Sequence, residues 1–293
     1  MRRKKYVLLL LVFCLLFVGI YSFFITPEES SQFYLKTVVY KDKDNMLIPV
    51  SINFYNEMDI EEEVLNRIDM MKSEDLSSQG LYPLLSSDLE VNHVDLNDSI
   101  LTIDFNDQLY ANGDALDIIE ALSFTLCDYE EVDSIHLQIN GEDITNIPNS
   151  DISVSYIHSS IGLNNFDDTD TLLHHTYPVM VYHIKNIENQ NYYVPITTRI
   201  NENDSIYNQI CTIMNLINPN IQCLDATLND GILRITLDSS VLLEDGTIDK
   251  ELFDQLTFTF SSMDMVDELN VVVDDEILVN ESVSSLQINY IKI

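Results

Sequence analysis

The phrase LNDSILTIDF at Leu96–Phe105 returns as LNDGILRITL at Leu228–Leu237, 132 positions further on. Each copy reads as half of a β-hairpin. Apolar and polar residues alternate on both sides of an Asn-Asp pair, and those two side chains tolerate positive φ and bond their own backbone. The expected turns are Asn97 and Asp98 in the first copy and Asn229 and Asp230 in the second. A hairpin alone constrains little. The same hairpin twice points to a duplicated domain, and the flanks agree. Val38-Val39-Tyr40 matches Met180-Val181-Tyr182, Ile48-Pro49-Val50 matches Val194-Pro195-Ile196, and LSFTL at 122–126 matches LTFTF at 256–260.

The periodicity predicts the same element order in each copy. In the first, strands fall near Thr37–Lys41 and Pro49–Phe54. A helix over Asp59–Lys72 follows, with Ile60, Val64, Ile68 and Met71 on one face. The hairpin comes next, then a helix near Gly113–Asp128 turning Leu116, Ile119, Leu122 and Leu126 inward, and a closing strand through Ile135, Leu137 and Ile139. In the second, strands near Met180–Ile184 and Pro195–Ile200 precede a helix near Ser205–Ile217 that turns Ile206, Ile210, Ile213 and Ile217 inward. The hairpin, a helix near Asp249–Ser261 and a strand at Leu269–Val273 complete it. Asp59 and Asp204 stand where helix N-caps belong. The fold class is therefore α+β, with two tandem β-β-α-β-β-α-β domains whose helices pack on a small sheet. The expected buried set is Ile60, Val64, Ile68, Ile103, Leu122 and Ile139, with counterparts Ile206, Ile210, Ile213, Ile235, Leu256 and Val273.

Ahead of the repeats, Met-Arg-Arg-Lys-Lys is followed by an uncharged apolar run, Tyr6–Ile25. Twenty helical residues span roughly 30 Å, the thickness of a bilayer core. The run is longer than a signal peptide's apolar region, and Ile20-Tyr21-Ser22 is a poor cleavage match, so residues 1–26 read as an uncleaved anchor. Cys14 then reads as a small apolar residue within a membrane helix, with Phe13 where a lipobox needs a small residue. The cationic end should stay in the cytoplasm and the rest of the chain outside. The domain boundaries that follow are 35–144 for the first copy, 145–176 for a linker that could add a strand, and 177–293 for the second.

Charge narrows the partners. Four of the 14 basic residues lie in the first five positions, leaving 10 against 49 acidic ones. Such a surface excludes nucleic acid, which needs basic patches, and repels anionic membranes and wall polymers. It suits a solvated coat or a basic protein partner. Membrane contact falls to the N-terminal segment alone.

Catalytic and cofactor signatures are missing. Seven glycines supply no G-x-G-x-x-G, no P-loop and no G-x-S-x-G, and no Cys pair has zinc spacing. His174 and His175, near Asp167, Asp168 and Asp170, form the one cluster resembling a metal site, but neighbouring histidines cannot share a helical face and the segment reads as linker. No metal and no cofactor is expected, loose calcium binding by the acidic surface aside. His93 and His136 fall in strands and read as packed or edge residues. Of Cys127, Cys211 and Cys223, only Cys211 and Cys223 could pair, if a helix packs over the adjoining strand; the expectation is of small buried thiols.

The copies differ in length. From Asp59 to Asp204 is 145 positions and from hairpin to hairpin 132, so the second copy lacks 13 residues corresponding to part of SEDLSSQGLYPLLSSD, Ser73–Asp88. The stretch is too apolar for a loop left in water. Leu81, Leu84 and Leu85 could close the core of the first copy, or Leu81, Tyr82 and Leu84 could dock a partner.

Taken together, the opening Val38-Val39-Tyr40, the strand Leu47-Ile48-Pro49-Val50, GLYPLLS at Gly80–Ser86, LNDSILTIDFND at Leu96–Asp107, Ala121–Leu126 and VDSIHLQINGE at Val132–Glu142 resemble the GerMN-domain family of sporulation and spore germination proteins. The resemblance extends from about residue 35 to 278. It implies a non-enzymatic, extracytoplasmic envelope protein of spore-forming bacteria, acting as an assembly or scaffold component through contacts with other envelope or sporulation-complex proteins, with self-association open. It also implies likeness to ring-building modules, in which a small sheet and two helices pack against neighbouring copies. The alternative is a ligand-binding or sensor-kinase-partner lipoprotein of the envelope.

Overall fold

The computed structural model describes residues 34–54, 58–129, 131–148, 153–165, 175–282 and 287–291. The apolar run Tyr6–Ile25, Cys14, and Asp167, Asp168, Asp170 and His174 of the suspected metal cluster lie outside the described residues. Among the described residues no helix is long and apolar enough to cross a membrane.

The first copy runs β1 (Tyr34–Lys41), β2 (Leu47–Phe54), α1 (Ile60–Lys72), β3 (Val91–Asn97), β4 (Ile100–Phe105), α2 (Ala115–Leu126), β5 (Ser134–Ile139) and β6 (Glu142–Asp143). The second runs β7 (Thr176–Ile187), β8 (Gln190–Asn201), α3 (Ile206–Ile217), β9 (Cys223–Asn229), β10 (Ile232–Leu237), α4 (Lys250–Ser261), β11 (Glu268–Val273) and β12 (Glu276–Ser282). Each copy holds a two-stranded hairpin and a four-stranded sheet, ordered β3-β4-β5-β6 in one and β9-β10-β11-β12 in the other. In both, the second and third strands of the sheet pair in parallel and the outer pairs are antiparallel. The helix between them supplies the crossover a parallel pair requires.

Each copy thus closes with one more strand than the β-β-α-β-β-α-β reading. Asp274 and Asp275, both at positive φ, turn the chain from β11 into β12, and Asn140 and Gly141 do the same ahead of β6. The paired hairpin turns sit one residue later than expected. Asn97 pairs with Ile100 and Asn229 with Ile232, so the central residues are Asp98-Ser99 and Asp230-Gly231, all four at positive φ. The carbonyl of the second turn residue then accepts the first N–H of the parallel neighbour. Asp133 N donates to Ser99 O, and Asp267 N donates to Gly231 O, each at 2.8 Å. At Gly231 a Cβ would fall 2.1 Å from Asp267 Oδ2, the movable end of an exposed side chain, and Ser99 holds the same place in the first copy, so glycine eases this turn without being required.

The helices begin where short polar side chains cap them. Asp59, Asp114 and Asp249 accept backbone N–H groups at 2.8–2.9 Å. The cap of α3 is Ser205 rather than Asp204. Val64, Ile68, Ile103 and Leu122 are buried, as are Ile210, Ile213, Ile235, Leu256 and Val273. Ile60 and Ile206 are only half-buried because they occupy the first turns of their helices, at the rim of the core, and Ile139 is half-buried beside the two-residue β6. Leu116 is also half-buried. The buried face of α2 runs instead through Ile118, Ile119, Leu122 and Leu126 and extends to Ser123, because residues from the stretch read as a linker cover the helix. Ser123 Oγ donates to His158 O at 2.9 Å, and Ile157 bridges Ile135 of β5.

Cys211 and Cys223 form a disulfide, with Cα atoms 5.4 Å apart, in place of two separate thiols. Packing of α3 over β9 brings them together. Cys127 stays free, and burial pushes its thiol up to about 11.

Candidate functional site

The segment unique to the first copy divides its candidate docking residues. Leu81 and Leu84 are fully buried, with Leu76, Leu85 and Leu89, while Tyr82 is 39% exposed. The backbone explains the split. Tyr82 pairs with Lys41 through hydrogen bonds of 2.7 and 3.1 Å, and the N–H groups of Leu84 and Leu85 both donate to Met71 O at the end of α1. Gly80 turns at φ +77, and a Cβ there would lie 2.5 Å from Ile187 Cγ2. Ile187 belongs to the tip of the β7–β8 hairpin. The extra segment is therefore a contact between the copies, and of the three candidates only Tyr82 presents its side chain to solvent.

A second contact obeys an internal two-fold rule. Leu47 N donates to Asn164 Oδ1 at 2.8 Å, Asn164 Nδ2 donates to Leu47 O at 2.8 Å, and the same nitrogen donates to Pro195 O at 2.9 Å. On the other side, Tyr193 N donates to Asn289 Oδ1 at 2.7 Å, and Asn289 Nδ2 donates to Tyr193 O at 2.8 Å and to Pro49 O at 2.7 Å. Leu47 and Tyr193 occupy equivalent positions in β2 and β8, as do Pro49 and Pro195. The flanking bonds repeat too. Thr197 N donates to Leu163 O and Ser51 N to Ile288 O, each at 2.9 Å. Each asparagine thus satisfies both backbone groups of one strand residue and the proline carbonyl of the other copy. Both sit at φ 50, a conformation Asn accepts more readily than most residues. Lys185 of the second copy adds an ion pair to the buried Asp42 and one to Asp44 at 3.0 Å.

Arg67, fully buried on α1, anchors a third feature. Its guanidinium binds Asp128 at 2.6 and 3.1 Å, Glu63 at 3.0 Å and the Thr125 carbonyl, and lies 4.5 Å from the centroid of the Tyr129 ring. Lys36 sits over the same ring at 4.7 Å and pairs with Glu63 at 3.2 Å. Both terminal nitrogens of this buried guanidinium are partnered and only Nε is not, which makes it a structural plug. The caps Asp59 and Ser205 set the helices 146 apart, so Ile213 answers to Arg67 and not, as expected, to Ile68; in this register the second copy has Pro178 for Lys36, Gln209 for Glu63, Ser262 for Asp128 and Met263 for Tyr129. Charges and ring are gone. There the structure opens a cleft of about 450 Å³, lined by Tyr177, Pro178, Met180, Met263, Asp264 and Met265 with Ser261 and Ser262, and walled on the seam side by Ser159, Ser160, Gly162 and Thr197.

Among the described residues neither cleft nor seam shows a nucleophile–base pair. Among the described residues no three His, Cys, Asp or Glu side chains converge as a metal site would require. His136 is tied to Ser155 O at 2.9 Å and Asp143 at 3.0 Å, His93 lies on the exposed side of β3, and His175 pairs with Glu202 at 2.9 Å. Glu120 is a buried carboxylate facing the seam. Burial pushes it up to about 7, against a hydrogen bond from Asn165 Nδ2 at 2.6 Å. The asparagine pair escapes a reading of the sequence. Its signature, an apolar residue followed by Asn after each copy (Leu163-Asn164 and Ile288-Asn289), is a two-residue echo visible only once the repeat is extended beyond the last strands.

By architecture this is a duplicated α+β domain whose two copies are stitched together through equivalent strands. Residues 32–145 match the Germane family, described as sporulation and spore germination. The chain is 25% identical over 202 residues to the spore germination protein GerM of Bacillus subtilis (strain 168), a match covering 68% of this chain and 53% of that protein. The matched stretch therefore spans about half the length of that curated relative. The solved tandem GerMN domains of the sporulation protein GerM from Bacillus subtilis overlay on 88% of this chain and 99% of theirs, with a TM-score of 0.73 at 19% identity. The first copy thus matches that family, the chain is similar to GerM, and its two copies share the fold of tandem GerMN domains.

Proposed function

We propose that this chain is a non-enzymatic, extracytoplasmic envelope protein of spore-forming bacteria that acts in sporulation and germination as an assembly or scaffold component. The observation carrying this reading is the seam. Two copies of one domain are held in a fixed relation by paired asparagines, so the chain offers partners one preformed two-domain surface rather than two independent modules. Placement outside the cytoplasm is favoured by the Cys211–Cys223 disulfide, since such bonds persist in oxidising compartments, and by the apolar run behind a cationic N-terminus. Tyr82, exposed beside the seam, is the proposed docking side chain of the first copy.

The test is a photo-crosslinking residue placed at Tyr82 in sporulating cells. Adducts with envelope or sporulation-complex proteins, on a chain degraded when protease reaches the outside of intact protoplasts, support the reading. Adducts confined to cytoplasmic proteins, or a chain fully protected from protease, contradict it. The cleft in the second copy favours a second reading, that of a ligand-binding or sensor-partner protein of the envelope.

A further inference from the structure

We infer that the cleft of the second copy receives an aromatic side chain flanked by lysine or arginine, presented by a basic partner protein. The inference rests on the reading of the chain as one that works through protein contacts, and it assigns a site and a ligand chemistry that reading leaves open.

The first copy shows what chemistry fills this place in the fold. There the end of α2 and the start of β1 enclose the Tyr129 ring, with the Lys36 ammonium and the Arg67 guanidinium against it. In the second copy the equivalent of the ring is Met263 and the equivalents of the two cations are Pro178 and Ile213. The fold keeps the walls and loses the filling. What remains, about 450 Å³, falls in the range of pockets that hold small ligands and is ample for an aromatic side chain.

The lining selects the occupant. Met180, Met263 and Met265 present three thioethers, which pack adaptably and make favourable contacts at the edges of aromatic rings. The Tyr177 ring adds a further apolar wall. No basic residue lines the cleft, and the exposed Asp264 stands at its rim. A cation next to the inserted ring therefore gains an opposite charge there. It also gains the field of a chain with 49 acidic against 14 basic residues. The same field disfavours a second copy of this chain as the occupant. The lining residues Ser159, Ser160, Asp264 and Met265 are exposed, so the cleft can be reached from solvent without parting the two copies.

The probe is the capped tripeptide Lys-Tyr-Lys, compared with Glu-Tyr-Glu and Lys-Ala-Lys, titrated into the purified chain carrying ¹³C-methyl methionine. Lys-Tyr-Lys is expected to shift the methyl signals of Met180, Met263 and Met265 saturably, while the two controls shift them at least about fivefold less at equal concentration. Met263→Tyr, which restores the residue of the first copy, should abolish the response. If that variant fails to fold, Asp264→Lys serves instead, because it reverses a rim charge without touching the core; binding should weaken at least about fivefold. Equal shifts with Glu-Tyr-Glu or with Lys-Ala-Lys overturn the proposal, as does silence of all three methyl groups or an Asp264→Lys variant that binds as the parent does. Failure here would leave the Tyr82 crosslinks intact, whereas crosslinks confined to the cytoplasm would sink the broader reading whatever the peptide does.

Discussion

Position for position, Arg67 of the first copy and Ile213 of the second occupy the same place on the same helix, and both are fully buried. One is wrapped by Glu63, Asp128, the Thr125 carbonyl and the Tyr129 ring; the other is packed among Ile210, Met214, Leu233 and Leu256 in the apolar core of its own domain. The difference teaches that this fold dictates burial at that site but not chemistry. A guanidinium is tolerated only because these partners arrive with it, three of them some sixty residues away in sequence. The apolar solution needs no partners, so the surrounding positions were free to change, and the cleft lies where they did.

The comparison breaks most readily at Arg67. Removing it by Arg67→Ala strands the Asp128 carboxylate, leaves Glu63 with Lys36 alone, and should cost about 3–5 kcal/mol in urea unfolding, the range for one partner lost from a buried ion pair. Ile213→Ala should cost about 2–5 kcal/mol by cavity formation alone. The two respond differently to salt and pH, because only the first leaves unpaired charge. A loss under about 1 kcal/mol for Arg67→Ala would mean that water reaches the network.

Next in size are the asparagines. Each of Asn164→Ala and Asn289→Ala removes three hydrogen bonds to partly buried backbone groups, with an expected cost of about 1–3 kcal/mol. The internal two-fold predicts equal costs. A marked inequality would show that one copy's tail holds the pair together and the other merely follows.

A smaller asymmetry is electrostatic. Glu120 is buried, whereas its counterpart Asp254 meets Lys250 and the Tyr193 hydroxyl nearer the surface. With its folded value raised from 4.5 to about 7, Glu120 contributes stability that is complete below 4.5 and is lost as pH rises through about 7. Urea midpoints measured from pH 5 to pH 8 should therefore fall in the parent relative to Glu120→Gln. The smallest effect is expected at Tyr82, where Tyr82→Ser should alter stability by no more than about 0.5 kcal/mol while removing the Tyr82-dependent contacts in cells. Melting temperature and crosslink yield measure the two separately.

Much of this architecture is legible in the sequence because it rests on local signals. Period-two strands around Asn and Asp, and capped helices with a 3.6-residue apolar stripe, carry their own instructions. What escapes is what depends on distant partners. Arg67 reads as a polar interruption of a helix face until Asp128 and Tyr129 are folded onto it. Asn164 reads as linker, since a side chain that imitates backbone pairing leaves no periodic trace. The Cys211–Cys223 bond follows from the packing of α3 on β9, which spacing alone leaves open. Strand β12 escapes because Asp274-Asp275, without a glycine, is a weak turn signal, and Leu81 is separated from Tyr82 only by the one-residue alternation of a backbone pairing with Lys41.

The central claim, that the two copies form one cooperative unit through the asparagine seam, can be measured directly because the chain contains no tryptophan. A single fluorescent probe can be set in either half, by Tyr156→Trp beside the first copy or by Tyr207→Trp on α3 of the second, both at exposed positions. Denaturant unfolding followed at each probe should give one coincident transition, which splits into two when Asn164→Ala and Asn289→Ala are combined. Two separate transitions with both asparagines in place would contradict the account.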